Sequence, residues 1–106
     1  MVRTVPDNEE EHVIIVGGTF EVDPEQRNAF LAERQEIMRT SRNEDGCLEY
    51  TFAADPLEPD RVILFERWES QAALDAHLAA ISPTTTRTPR SASITAYDVV
   101  GERRLR

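Results

Sequence analysis

Residues 61–81 read RVILFERWESQAALDAHLAAI. In the first part Val62, Leu64, Glu66 and Trp68 alternate with Ile63, Phe65 and Arg67. Side chains of an extended chain point to its two faces in turn, so this is a strand with large apolar groups on both sides. Ser70 then stands where a helix cap belongs. Leu74, His77, Leu78 and Ile81 follow at the i, i+3, i+4, i+7 spacing of one helical stripe. Helices can cover one face of the strand. The other face needs its own cover, and a second copy of the chain is the expected supplier, which predicts a homodimer.

The rest of the chain supplies the strand's neighbours. His12–Val22, HVIIVGGTFEV, is rich in β-formers and reads as the first strand. Gly17 and Gly18 interrupt it and predict a bulge or the floor of a pocket. Asp23-Pro24-Glu25-Gln26 is a helix start, with Asp23 as cap, Pro24 at the first position and Gln26 at N3. The helix is expected to run to about Arg42. Phe30, Ile37 and Ser41 lie near one stripe with Leu31 and Met38 beside it, while Glu33, Arg34, Gln35, Glu36 and Arg39 are placed mostly on the water side. Gly46 closes the turn. Cys47–Ala54 is the second strand, with Leu48, Tyr50, Phe52 and Ala54 on one face and Cys47 with Glu49 and Thr51 on the other. Two prolines make the link to Arg61 short, as between antiparallel neighbours. Ser82–Ser93, SPTTTRTPRSAS, reads as an irregular loop. Ile94–Val100, containing Tyr97, is the final strand. The order β-α-β-β-α-β predicts an α+β, ferredoxin-like domain: an antiparallel sheet with helices on one face, dimerising through the sheet. The domain spans residues 12–101. Residues 1–11, with the acidic run Glu9-Glu10-Glu11, are expected to form a flexible N-terminal tail and 102–106 a C-terminal one.

Composition excludes several chemistries. The net charge is −8, which disfavours nucleic acid, since phosphate backbones attract Lys and Arg. All 12 basic residues are Arg, so no lysine Schiff base can form. Cys47 is the single cysteine, which rules out an intramolecular disulfide and a thiolate metal cage. His12 and His77 share no metal-ligand spacing. No stretch is apolar enough for a signal peptide or a membrane span, so a cytoplasmic protein without a membrane partner is expected.

Candidate site residues cluster near the opening stretch. Trp68, the only tryptophan, offers a stacking surface for a flat ligand if its ring faces the open side of the sheet. An imidazole suits proton transfer, which makes His77 a candidate proton shuttle. Tyr50, Tyr97 and Glu66 are candidates for the pocket wall, and Glu66 points the same way as Trp68. A buried Glu66 needs a partner, with Arg67 of a neighbour, Arg87 or Arg90 as choices.

The segments VIIVGGTFEVDPEQRNAFL, EDGCLEYTF and above all RVILFERWESQAALDAHL resemble the antibiotic biosynthesis monooxygenase family over residues 12–100. The resemblance implies a dimer built through its sheets. It also implies oxidation of a small aromatic phenol, quinol or polyketide-like substrate by O2, with no cofactor. It places His77, Trp68 and Tyr50 in catalysis, and Gly17, Gly18, Glu66, Trp68 and Tyr97 in the substrate pocket. Related domains include haem-degrading enzymes, for which His77 is the available helix ligand; the other alternative for this chain is a non-catalytic dimeric domain that binds a small hydrophobic molecule. Gly17-Gly18 stands where the family often carries Asn, and the threonine-rich loop lacks the large apolar anchor usual there.

Overall fold

The computed structural model describes residues 12–81 and 87–106, together with the backbone of 2–4. Among these, the main sheet has four antiparallel strands in the order β3-β4-β2-β5. They are β2 (Ile14–Glu21), β3 (Cys47–Ala54), β4 (Arg61–Trp68) and β5 (Ser91–Asp98). A short 3-10 turn at Pro24–Gln26 leads into α1 (Arg27–Glu33) and α2 (Gln35–Arg42), and α3 spans Gln71–Ala80. A separate two-stranded ladder joins β1 (Val2–Thr4) to β6 (Gly101–Arg103). The α+β, ferredoxin-like order expected from the sequence is therefore present.

The core lies between the helices and one sheet face. Ile14, Val16 and Phe20 of β2, Tyr50 of β3, and Val62, Leu64 and Trp68 of β4 are buried there with Phe30 and Leu74. Each fully buried large side chain contributes about 1.5–3 kcal/mol relative to exposure. Asp23 caps the first turn, its Oδ1 accepting from the Glu25 N–H at 3.0 Å. Ser70 caps α3 by accepting from the Ala73 N–H at 3.1 Å.

Several local expectations change. The Gly17-Gly18 pair makes no bulge: β2 pairs in unbroken register with both β4 and β5. A Cβ on Gly18 would meet Ile94 Cγ1 at 3.1 Å and the Ser93 carbonyl at 3.2 Å, so close packing of β5 explains that glycine. The bulge lies in β3, where Cys47 pairs with Trp68 but Glu49 pairs with Arg67. The extra residue, Leu48, is exposed, and Cys47 packs against the core rather than with Glu49 and Thr51 on the outer face. A shift of one residue reverses which face a side chain takes.

The expected single helix over 23–42 is broken at Arg34. Its N–H bonds to Leu31 O at 3.1 Å, three residues back, while its own guanidinium donates to Phe30 O at 3.0 Å. That turn brings Arg34 inside, at 7% exposure, instead of into water. β5 begins at Ser91, earlier than expected, and the chain just before it is held by Arg90 N–H to Glu21 O at 2.7 Å. The expected tails also differ in part, since Val2–Thr4 and Gly101–Arg103 pair as strands. Most of the expected N-terminal tail (5–11), and residues 82–86 of the expected loop, lie outside the described residues.

Candidate functional site

A cavity of about 390 Å³ opens between the sheet and α2 and α3. Its floor is Val16, Phe20, Phe52 and Leu64, and Leu74 with Ile37 form the helical side. Four polar side chains enter this apolar space: Arg34, Tyr50, Glu66 and His77. Leu78, Ile81 and Ile94 also line it and are exposed, which makes an apolar mouth. A concave apolar space with a few convergent polar groups is the usual form of a small-molecule site.

His77 comes from the buried stripe of α3 and is 2% exposed. Its Nδ1 lies 2.6 Å from Glu44 Oε1. Glu44 sits in the turn after α2, fixed by its N–H to Ser41 O at 3.1 Å and by Cys47 N–H to its own carbonyl at 3.1 Å. A carboxylate on Nδ1 holds the ring proton there and leaves Nε2 as the acceptor nitrogen. Nε2 is buried and has no hydrogen-bond partner among the described residues. The ring lies against Trp68, with centroids 4.6 Å apart at 36°, and edge-on to Tyr50 at 5.2 Å.

Glu66 projects from β4 on the helix side and is 6% exposed. Its Oε1 accepts from Trp68 Nε1 at 2.8 Å, two residues along the same strand face. Within the chain, neither its own Arg67 nor Arg87 serves as its partner. Arg67 pairs with Glu49, while Arg87 bonds Gln26 and Glu33. Burial pushes the Glu66 carboxyl above its ordinary value, with the Trp68 bond and His77 pulling the other way. Tyr50 is buried beside it. Desolvation and the Glu66 charge push its phenol well up, against a hydrogen bond with Ser41. A phenol so placed keeps its proton, so Tyr50 suits donation to a ligand and not proton abstraction.

The structure thus brings His77, Tyr50 and Glu66 together and separates the other expected pocket residues from them. Trp68 is 0% exposed and packs in the core behind His77, not on the open side of the sheet. It is one layer away from the cavity wall. Tyr97 pairs with Ile15 on the opposite sheet face and is 56% exposed. Gly17 belongs to that same outer face, since an added Cβ would touch Tyr97 Cε2 at 3.8 Å. Gly18 faces the helices but lies under Ile94, outside the cavity lining. The alternation of β5 puts Ile94 and Ala96 inward and Tyr97 outward. Glu44 and Arg34 are the site residues that sequence reasoning missed. A carboxylate in the turn before the second strand is the trace Glu44 leaves in the sequence, and Arg34 leaves none.

Comparison with known proteins follows this geometry. The family model described as antibiotic biosynthesis monooxygenase matches residues 13–81. The uncharacterized protein sll1783 of Synechocystis is 39% identical over 64 residues, covering 60% of this chain and 44% of that protein. "Putative monooxygenase YcnE" of Bacillus subtilis is 31% identical over 65 residues, 61% of this chain and 68% of the relative. The chain spans less than half of the first relative's length. Among solved structures, a "putative antibiotic biosynthesis monooxygenase" from Deinococcus radiodurans is 28% identical with a TM-score of 0.70, over 81% of this chain and 91% of that one. A conserved protein from Methanosarcina mazei shares the fold at a TM-score of 0.73 and 21% identity, over 84% and 94%.

Proposed function

The chain belongs to the antibiotic biosynthesis monooxygenase family, and from that premise we propose that its helix-side cavity binds a flat phenol or quinol and promotes its oxidation by O2. The observation that carries this reading is His77: a buried imidazole on the wall of an apolar cavity, with Glu44 on Nδ1 and Nε2 without a partner among the described residues. Nε2 takes the phenolic proton. The phenolate gives one electron to O2, and the superoxide formed joins the ring-carbon radical. The O–O bond of that adduct then breaks. One oxygen stays as a ring carbonyl, and the other leaves as water with the former O–H and ring C–H hydrogens. The substrate supplies all the electrons, so the scheme calls for no added cofactor. Tyr50 donates a hydrogen bond to a substrate oxygen. Trp68 acts through Glu66 and His77, as a positioning residue. The apolar walls keep water from the radical pair.

The partner in this reading is a second copy of the chain. Ile15, Ile63, Phe65 and Tyr97 give the outer sheet face an apolar surface, supporting a homodimer joined through its sheets. A binding-only domain is the second reading, favoured by the exposed mouth at Leu78, Ile81 and Ile94. Oxygen uptake by purified protein with dihydroxynaphthalenes and an anthrone separates the two. The proposed oxidation requires uptake above the uncatalysed rate that His77→Gln abolishes. Saturable binding without uptake by any probe identifies the binding domain.

A further inference from the structure

The proposed chemistry makes no use of one charged cavity group, Arg34. A guanidinium has five N–H donors and keeps its charge. Here it lies 3.3 Å over the Phe30 ring and 5.8 Å from the Phe52 centroid. Phe30 O accepts from Nη1 at 3.0 Å and Arg87 O from Nη2 at 3.4 Å. Its separation from Glu33 Oε1 is 3.9 Å, beyond hydrogen-bond reach, and Glu33 Oε2 is engaged by the Arg87 guanidinium. The cation is therefore held by carbonyls and an aromatic face, with Glu33 as its ion-pair partner at the longer distance of 3.9 Å. An ion pair that long leaves room for a shorter, charge-assisted bond to a bound anion. Glu66 does not serve, because its side chain is bonded to Trp68 and its burial favours the neutral acid.

The two polar ends of the cavity are also spaced. Arg34 neighbours Phe52, whereas His77 and Glu66 neighbour Tyr50. Tyr50 and Phe52 are successive inward residues of β3, so Arg34 and His77 enter the cavity beside different positions of that strand.

We infer that the cavity selects a flat aromatic carboxylate, whose anionic end is held by Arg34 while its hydroxyl lies at the His77 end. The inference rests on the proposed site and names the substrate class for it. The kink at Arg34 gives the side chain a structural role as well, through Phe30 O, but that bond uses Nη1 alone among its nitrogens.

The test is calorimetric binding of 6-hydroxy-2-naphthoate and of its carboxamide, which has the same shape without the charge. The wild type is expected to bind the acid about 10–100-fold more tightly, as a charge-assisted bond to a buried guanidinium implies. Arg34→Gln is expected to bring the two ligands to similar affinity by weakening the acid alone. Arg34→Lys, which keeps the charge but not the two-pronged geometry, retains part of the preference. Equal binding of acid and amide by the wild type overturns the inference, and so does a preference that survives in Arg34→Gln. The wild-type comparison stands even if a variant fails to fold. Binding is read without oxygen uptake, so absence of turnover refutes the proposed oxidation alone. A cavity indifferent to charge refutes this assignment alone.

Discussion

Replacing Trp68 by Phe is expected to cost stability before it costs anything else, because the indole is wholly buried behind the cavity. Three contributions can be separated. The Glu66 carboxyl loses the Nε1 donor it holds at 2.8 Å, and leaving a buried acceptor unmet costs about 1–3 kcal/mol. The indole's contacts with the rings of His77 and Tyr50 shrink, worth about 0.5–1.5 kcal/mol. The smaller ring leaves a void, though less than the about 3–5 kcal/mol of a truncation to Ala. The contributions overlap, and a total of about 2–4 kcal/mol is expected, or a fall in Tm of about 10–25 °C for a domain of this size. Thermal unfolding followed by circular dichroism, with urea titrations to check that m is unchanged, measures it. A Tm within about 3 °C of wild type, coupled with a large loss of ligand affinity, would refute the reasoning and put the indole on the cavity surface.

Other perturbations test other parts. In Glu66→Gln the amide oxygen can still accept from Trp68 Nε1. Burial raises the Glu66 pKa in the folded state, so wild-type stability from this group is complete below its unfolded value of about 4.3 and is lost as pH rises through the folded one. The variant therefore gains on wild type between acid and neutral pH, and parallel pH–stability curves contradict this. Gly46→Ala meets a positive φ of 83° and places a Cβ 2.6 Å from that of Ala73, so a loss of at least about 1–2 kcal/mol is expected. Gly17→Ala, with open space to 3.8 Å, is expected to change Tm by only a few degrees, and equal losses in the two variants refute the packing account. Ile63→Glu combined with Phe65→Glu charges the outer sheet face and leaves the core untouched. Light scattering on a sizing column should show a dimer for wild type and a folded monomer for the variant, and equal masses would remove the proposed interface.

Much of the fold is legible in the sequence because it follows local periodicity. The alternation in Arg61–Trp68 fixes which groups face the helices, and Leu74 and His77 do lie on the buried stripe of α3. Most of the misreadings share a cause: they depend on partners far away in sequence. The bulge at Leu48 is a mismatch between β3 and β4, and nothing in the residues around it marks it. The break at Arg34 has no Gly or Pro, so a continuous helix is the natural reading. The sequence presents Tyr97 as an available aromatic, but its face depends on the register of β5 against β2. Glu44 reaches His77 across 33 residues, a contact that only the folded turn and helix bring about. Trp68 and His77 are neighbours, as their place in one strand-cap-helix unit suggests. Their order with respect to the cavity, His77 in front and Trp68 behind, requires the packed core.

A crystal structure with a dihydroxynaphthalene soaked in tests the central claim most directly. The account predicts the bicyclic ring between the sheet and α2 and α3, with one hydroxyl within hydrogen-bond distance of His77 Nε2. A ring seated on the outer face against Phe65 and Tyr97, or one in the cavity with both hydroxyls turned away from His77, contradicts it.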